Sequence, residues 1–254
     1  MTKKTRLSRE AILRSLRSAL EPQKDVLAMW EGGAAAFGRV DRWSDIDLMI
    51  AVRDGRTARV AAGVEGLLKK LSPITAKLPA NHPNWPDMIH TFYKLERADE
   101  FMLVDVAVMP QSSKDKLLEP EVHGKALVHF DKANICKPSR LDRKKFLAGM
   151  KGRKEKLISM FELFSNFTVK ELGRKNYIEA QYSHFMILNM LVEALRMKHG
   201  PFHYDFRGRY LHQEMPPAVA KRLQALFYVK AAADLRRKDV LARRWFKEVV
   251  KTIK

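Results

Sequence analysis

The chain has 254 residues, of which 46% are hydrophobic and 30% charged, a globular composition with room for one large domain or two ordinary ones. It carries 48 Lys and Arg against 29 Asp and Glu, a formal charge of +19. No apolar run reaches the ~18 residues of a membrane span, no secretory signal follows the basic N-terminus, and the single Cys136 excludes an intramolecular disulfide and a multi-cysteine zinc site. We therefore expect a cytoplasmic protein.

The first half of the chain predicts an α/β arrangement. Its first helix is expected over 8–20, with Ser8 as the N-cap. Short apolar runs predict strands over 25–31, 46–52, 89–97, 101–109 and 127–130, with a helix over 56–71. The polar turn 98–100 makes 89–97 and 101–109 a hairpin. The segment 78–87 contains three prolines and is expected to be a loop.

The second half predicts helices over 141–164, 176–199, 217–228 and 233–250, because apolar residues recur there every three or four positions. Four helices of this length favour a bundle. The predicted fold class is therefore α+β: an N-terminal domain over 1–135 with a mixed sheet and flanking helices, then a helical domain over 136–254. The first part holds 21 basic and 18 acidic residues and the second 27 and 11, so the helical part carries most of the excess charge.

The most informative segment runs from a predicted strand through a glycine-rich turn to a pair of aspartates. Glycines within 32–38 allow positive φ and let the backbone approach a ligand. Asp45 and Asp47 stand two residues apart at the start of the next strand, so they share a face. Asp105 lies inside another apolar strand, where an ionised carboxylate needs a partner. Paired carboxylates suit a divalent ion such as Mg²⁺, and Asp105 would complete its site.

This pattern resembles the DNA polymerase β-type nucleotidyltransferase superfamily, in which a strand, a Gly-Gly or Gly-Ser turn, Asp-x-Asp and a later Asp follow one another. The matching residues are Gly33-Ala34, Ser44-Asp45-Ile46-Asp47-Leu48 and Asp105. The small two-domain members, the antibiotic (aminoglycoside and lincosamide) nucleotidyltransferases, look most similar. They add a C-terminal helical bundle, and the segment 202–223 also resembles theirs.

The resemblance implies metal-assisted nucleotidyl transfer, with catalytic and metal-binding roles for the three aspartates. Asp45 and Asp47 would hold Mg²⁺ against a nucleoside triphosphate. Asp105 would bind a second ion or activate the acceptor hydroxyl; a two-metal site is expected and Mn²⁺ is an alternative ion. Gly33 and Ala34 would lie against the phosphates. The family usually has Ser where this chain has Ala34. Backbone N–H groups would therefore bind the phosphates in place of the Ser hydroxyl.

Other residues near the motif have two interpretations each. Ser44 fits a phosphate contact or a turn cap. Arg39 and Arg42 fit triphosphate binding or solvent-exposed loop positions. Lys94 fits a phosphate contact or an edge-strand lysine that keeps the protein soluble. Trp43 fits core packing or stacking on a base. For the aspartates themselves the alternatives are a polar turn and, in the apolar strand, a hydrogen-bonded structural carboxylate.

Further candidates lie away from the motif. His82 and His90 flank the proline-rich loop and fit the lining of an acceptor pocket or, less well, a metal site. In some antibiotic-modifying relatives a bundle glutamate is the general base, which makes Glu179 a possible base. Glu193, on the same predicted helix, fits a solvated position. The basic runs 140–156, 236–238 and 243–244 fit a solvated face or the surface for an anionic partner.

The sequence leads to one main hypothesis and two alternatives. The main one is an Mg²⁺-dependent enzyme that transfers a nucleoside monophosphate, AMP from ATP being favoured, to a hydroxyl of a small molecule and releases pyrophosphate. The first alternative is a toxin-like transferase acting on RNA or tRNA, because the basic helical half would attract phosphates. The second is a catalytically decayed nucleotide-binding protein, which Ala34 alone supports.

Overall fold

The computed structural model describes residues 6–83 and 85–253. The chain divides into two compact units, Met1–Arg140 and Leu141–Lys254, and each is described here by itself. The segment 136–140 belongs with the first unit, where the Cys136 N–H donates to Asp131 and the Ser139 N–H to the Leu118 carbonyl. Within the described residues, no helix is both long and apolar enough to cross a membrane.

The first unit contains a six-stranded mixed sheet and four helices among its described residues. The helices are α1 (Arg9–Leu20), α2 (Gly33–Ala36), α3 (Thr57–Leu71) and α4 (Pro120–His123). The strands are β1 (Val26–Glu31), β2 (Ile46–Val52), β3 (Ile74–Ala80), β4 (Ile89–Leu95), β5 (Val104–Pro110) and β6 (Leu127–Asp131). Ser8 caps α1 as predicted, accepting the Ala11 N–H at 3.2 Å.

The strand order is β3-β4-β5-β2-β1-β6. Only the central β2 and β5 pair in parallel, and the other described pairs, including the predicted β4–β5 hairpin, are antiparallel. One face of the sheet packs on α1 and α3 through alternate strand residues such as Leu48 and Val106. The residues between them therefore point to the other face, and these include Asp47 and Asp105.

The prediction of a loop over 78–87 is wrong at its start, because 78–80 end the strand β3. Residues of β3 are mostly exposed and show no alternation in burial. It is an edge strand that pairs only with β4. An edge strand tolerates Pro79, which has no N–H, because the N–H groups on its outer side form no hydrogen bonds within the sheet. Apolar residues do alternate along the sequence of β3, from Ile74 to Ala80, but Pro79 within this run favoured a loop.

The second unit is helical, which together with the sheet confirms the predicted α+β class. Its elements are α5 (Arg143–Phe164), α6 (Phe167–Gly173), α7 (Tyr177–His199), a 3₁₀ turn (Pro201–His203), α8 (Leu211–Glu214), α9 (Pro217–Phe227) and α10 (Ala232–Val250). The four long helices match the prediction, while α6 and α8 are additional. Most of the core of the helical unit is one cluster that includes Leu157, Phe161, Leu191 and Phe246, and a second, smaller cluster contains Leu172, Ala180 and Leu235.

Candidate active site in the sheet

The parallel pairing of β2 and β5 brings the predicted aspartates together. Asp47 and Asp105 are direct partners in the register of the two strands, and neighbouring strands lie about 4.8 Å apart. Both side chains leave the sheet on the face opposite α1 and α3. Asp45 precedes β2 by one residue, and its Oδ1 accepts the Leu103 N–H at 2.9 Å just before β5 begins. The three residues therefore share one end of the two central strands.

The electrostatics show three carboxylates in a confined space. Burial, followed by the charges of Asp105 and Asp45, raises the pKa of Asp47 from 3.8 to about 6. Burial and the charge of Asp105 also raise the pKa of Asp45, although the Leu103 N–H opposes the rise. The charge of Asp105 thus makes ionisation of Asp45 and of Asp47 less favourable. This arrangement favours a cation at the same place.

The glycine-rich turn lies directly against Asp47. Gly33 has a positive φ of 49° and begins the short helix α2. A Cβ on Gly33 would lie 1.7 Å from Oδ2 of Asp47, so only glycine fits there. The Ala34 N–H donates to the same carboxylate and lowers its pKa against the effect of burial. Of the N–H groups predicted for the phosphates, that of Ala34 is therefore already used by Asp47.

Two histidines extend the carboxylate cluster. The His90 Nε2 forms a short hydrogen bond with Oδ1 of Asp105. The His90 Nδ1 in turn bonds with the His82 Nε2 at 2.6 Å, and the two rings stack with centroids 4.8 Å apart. The sequence did not predict these contacts, because the one between His90 and Asp105 depends on β4 lying antiparallel beside β5. The two histidines thus form a hydrogen-bonded chain that ends on Asp105, and their predicted place in an acceptor pocket or metal site remains a prediction.

The loop before Asp45 is held by its own side chains. The Ser44 hydroxyl donates to Oδ1 of Asp41 at 2.9 Å and accepts the Asp41 N–H at 2.8 Å, so Ser44 caps a turn. The Trp43 ring is half exposed and packs edge-to-face on Phe101, and the Arg42 guanidinium lies 3.9 Å from the centroid of that tryptophan ring. The cap explains why the polypeptide presents Asp45 in a fixed place; the phosphate contact of Ser44 remains a prediction.

The two basic residues proposed for the nucleotide lie at different places in this unit. The Arg39 guanidinium stands 5.1 Å from the centroid of the Phe37 ring, directly after the glycine turn. Lys94 is exposed on β4, which pairs with β3 there, and strand alternation places it on the face of Asp105. Nothing in these positions assigns either residue to a phosphate, and both remain predictions.

The three carboxylates have the chemistry that a magnesium ion needs. Carboxylate oxygens are its preferred protein ligands, and the raised pKa of Asp45 and of Asp47, to which the charge of Asp105 contributes, matches a cation site. Across residues 6–83 and 85–253, however, no three His, Cys, Asp or Glu side chains converge as ligands. Asp45, Asp47 and Asp105 instead accept hydrogen bonds from the protein. Their chemistry fits the ion, because the hydrogen bonds to Asp45 and Asp105 use only Oδ1 of each carboxylate and a carboxylate has further acceptor sites.

The predicted bundle glutamates both line clefts of the helical unit. Glu179 is exposed in the first turn of α7 and accepts the Asn176 side chain at 2.8 Å. Glu193 forms a two-pronged ion pair with Arg153 on α5, at 2.5 and 2.7 Å. A cleft of about 520 Å³ contains both glutamates, and a second of about 760 Å³ contains Glu193. Glu193 is therefore paired, while the role of Glu179 as a base remains a prediction.

Sequence reasoning missed one buried carboxylate near the site. Glu31, at the end of β1, is 1% exposed, forms a short ion pair with Arg9 of α1, and lies 2.9 Å from the His129 Nε2 of β6. Its charge contributes to the raised pKa of Asp47. The only signal in the sequence is a single glutamate closing an apolar run. The contacts fix the strand end from which the glycine turn starts.

No family model and no curated protein matches the sequence. Among solved structures, the chain is similar to an aminoglycoside 6-adenyltransferase from Bacillus subtilis, with 11% identity and a TM-score of 0.36 over 97% of this chain and 90% of that one. It is also similar to a spectinomycin adenyltransferase from Enterococcus faecialis with ATP and spectinomycin, with 10% identity and a TM-score of 0.42 over 94% and 100% of the two chains. Similarity at this level does not establish a shared activity, which the residues of the site have to support.

Proposed function

We propose that the protein is an Mg²⁺-dependent nucleotidyltransferase that moves a nucleoside monophosphate, AMP from ATP being favoured, to a hydroxyl of a small molecule. The observation that carries the proposal is the in-register pairing of Asp47 with Asp105, with Asp45 beside them and a glycine turn against Asp47. A structural role alone does not account for three neighbouring carboxylates whose charges oppose one another.

Each residue has a defined part in this proposal. Asp45 and Asp47 hold one Mg²⁺, and Asp105, oriented by His90, holds a second ion or accepts a hydrogen bond from the acceptor hydroxyl. The bound ions supply charge neutralisation of the triphosphate during in-line displacement at the α-phosphorus. Most of the protein's own contribution is positioning, since the aspartates stand on two paired strands of the central sheet.

The glycine turn is the proposed phosphate site. The N–H groups at the start of a helix have no partners inside it, and backbone N–H groups in such turns bind anions. Here the Ala34 N–H is bonded to Asp47, so it becomes available only when that carboxylate turns towards a cation. Phosphate binding and metal binding are therefore expected to depend on each other. Arg39, Ser44 and Lys94 remain secondary candidates for the triphosphate.

The proposed acceptor site belongs to the helical unit. Its clefts are lined by aromatic, apolar and a few charged side chains, the usual composition of a small-molecule site. Glu179 is the proposed base for the acceptor hydroxyl. Replacing it with Gln tests this role: turnover with the identified acceptor is expected to fall while ATP binding remains.

The central experiment is incubation with labelled ATP, GTP, CTP or UTP and Mg²⁺, with pools of antibiotics, metabolites and tRNA, to find which pool takes up label. Asp45→Asn, Asp47→Asn and Asp105→Asn are expected to abolish transfer. The matched control is Asp54→Asn, an exposed aspartate just beyond the other end of β2.

Calorimetric titration of ATP with Mg²⁺ separates the proposal from a decayed binding protein. Binding without label transfer to any pool would favour the decayed protein, and retained transfer in both Asp45→Asn and Asp47→Asn would exclude this site. Label in the tRNA pool alone would make RNA the acceptor.

A further inference from the structure

Two half-exposed aromatic rings lie at the end of the sheet where the three carboxylates meet. Trp43 is 50% exposed and Phe101 is 53% exposed. Their ring centroids are 4.7 Å apart in an edge-to-face arrangement. Within the described residues, neither ring belongs to the hydrophobic clusters that form the core of this unit. Core packing therefore does not account for these two residues, which we call the aromatic pair.

The chain attaches the aromatic pair to Asp45 from two sides. Trp43 precedes Asp45 by two residues. Phe101 precedes Leu103 by two residues, and the Leu103 N–H donates to Oδ1 of Asp45 at 2.9 Å. Two residues of extended chain span at most about 7 Å. Both rings are therefore anchored close to the first of the carboxylates proposed to hold Mg²⁺.

Hydrogen bonds fix the backbone that carries each ring. The Trp43 N–H donates to Oδ1 of Asp41 at 2.9 Å, and the Phe101 N–H donates to Oδ1 of Asp99 at 3.1 Å. The Arg42 guanidinium lies 3.9 Å from the centroid of the indole ring, so a cation also holds that ring from one side. The rings are thus in place before a ligand arrives, and little conformational freedom is lost when one binds.

The position of the aromatic pair determines which part of a ligand can reach it. If Asp45 and Asp47 hold the triphosphate through Mg²⁺, as proposed above, a single ribose separates the α-phosphate from the base. The base is then close to the carboxylates, where the two rings are exposed. Every base has a π face that stacks on an aromatic side chain, and a purine offers a larger one than a pyrimidine.

From these observations we propose that Trp43 and Phe101 bind the base of the nucleoside triphosphate by stacking and favour purines over pyrimidines. This inference rests on the proposed nucleotidyl transfer and adds the residues that recognise the base. The polar groups beside the indole ring are used within their own loop, where the Ser44 hydroxyl donates to Asp41. Stacking area is therefore the source of the preference.

Calorimetric titration of ATP, CTP and inorganic tripolyphosphate, each with Mg²⁺, tests the aromatic pair in the full chain. Tripolyphosphate has no base, so it measures binding at the phosphate and metal site alone. The test variant is Trp43→Leu, which removes the ring and keeps an apolar side chain, and Trp43→Phe restores a ring. The matched control is Tyr177→Leu, which removes a 53% exposed ring from the helical unit. Thermal melting verifies that each variant folds.

Trp43→Leu is expected to weaken ATP binding about 10-fold, the usual size of the effect when one base loses its aromatic partner, and tripolyphosphate binding less than about 2-fold. The unaltered chain should bind CTP about 3-fold more weakly than ATP because the smaller ring stacks less well. That preference should disappear in Trp43→Leu and persist in Trp43→Phe. Tyr177→Leu should bind all three ligands as the unaltered chain does.

Unchanged ATP affinity in Trp43→Leu would overturn the base site and leave the proposed transfer reaction standing. Equal weakening of ATP and tripolyphosphate would also overturn the base site, because it would indicate a displaced Asp45. If the unaltered chain binds ATP in the expected way but transfers no label, the base site is supported and the transfer reaction is refuted. Absence of ATP binding by the unaltered chain would overturn both.

Discussion

Gly33 and Asp47 are in such close contact that the carboxylate occupies the space of a missing side chain. A Cβ on Gly33 would lie 1.7 Å from Oδ2 and 2.4 Å from Cγ of Asp47. The turn and the first strand of the proposed site are thus fitted to each other at one residue. Any change at this contact acts on the carboxylate itself.

Gly33→Ala is therefore expected to abolish nucleotide binding and transfer. The added methyl displaces Asp47, and the φ of 49° adds backbone strain. The matched control is Gly38→Ala, which has a similar φ of 64° but no atom within 4 Å of the new Cβ. Both should lose about 1 kcal/mol of stability from strain, so ATP titration and melting together separate strain from the clash. Equal ATP affinity in the two variants would contradict the contact.

Asp47→Asn is expected to stabilise the metal-free protein above pH 6. The pKa of Asp47 is raised from 3.8 to about 6, so the folded state prefers the protonated form. Below pH 3.8 the carboxyl is protonated in both states, so its ionisation does not reduce the free energy of unfolding. The destabilisation grows as pH rises from 3.8 to about 6 and is complete above that pH. The variant should gain up to about 3 kcal/mol at pH 7 and nothing near pH 3.5.

Urea unfolding of both proteins in EDTA at several pH values measures this difference. Asp54→Asn, which removes an exposed carboxylate, serves as the control. A gain for Asp47→Asn that is independent of pH would rule out relief of carboxylate repulsion as its cause.

Ala34→Ser is expected to strengthen binding of ATP with Mg²⁺. The hydroxyl adds a hydrogen-bond donor in the turn proposed for the phosphates, and one such bond contributes about 1 kcal/mol, or about 5-fold in affinity. Ala35→Ser is the control in the same turn. Calorimetric titration should show a lower Kd for the first variant only; a similar change in both would indicate a general effect of polarity.

Cys136 is expected to resist alkylation in the folded protein. Burial, reinforced by the negative charge of Asp131, raises the pKa of its thiol from 9.0 to about 12. The thiolate fraction at pH 8 then falls about 1,000-fold, since each pKa unit is a factor of ten. Iodoacetamide labelling should be fast in urea and negligible without it. Comparable rates in the two conditions would contradict the burial of Cys136.

The sequence was sufficient for those parts of the fold and site that depend on local pattern. The glycine turn, Asp45 and Asp47 are neighbours along the chain, so their spacing and strand alternation place them together. Asp105 could be predicted as part of the same site because an ionised aspartate inside an apolar strand is costly unless a partner stabilises it. The fold class followed from the change in the pattern of apolar residues, from short strand-like runs in the first half to helical spacing in the second.

Other features depend on pairing between distant segments and leave little trace in the sequence. The edge strand β3 does alternate apolar residues from Ile74 to Ala80, but Pro79 argues against a strand there, and the strand exists through its pairing with β4. The hydrogen bond of His90 to Asp105 exists only because β4 lies beside β5. The use of the Ala34 N–H by Asp47 follows from the close approach of the turn, and the ion pair of Glu193 follows from the packing of α7 against Arg153 on another helix.

The parallel pairing of β2 and β5 also has a kinetic consequence. The Leu103 N–H that holds Asp45 lies 58 residues away along the chain, and both β3 and β4 are formed by the segment between them. Contacts of such long range form slowly, after the intervening loop has been closed at an entropic cost. A chain emerging from synthesis can complete its glycine turn and Asp-x-Asp strand early. It acquires three neighbouring carboxylates only once the sheet has closed, so partly folded forms lack the site.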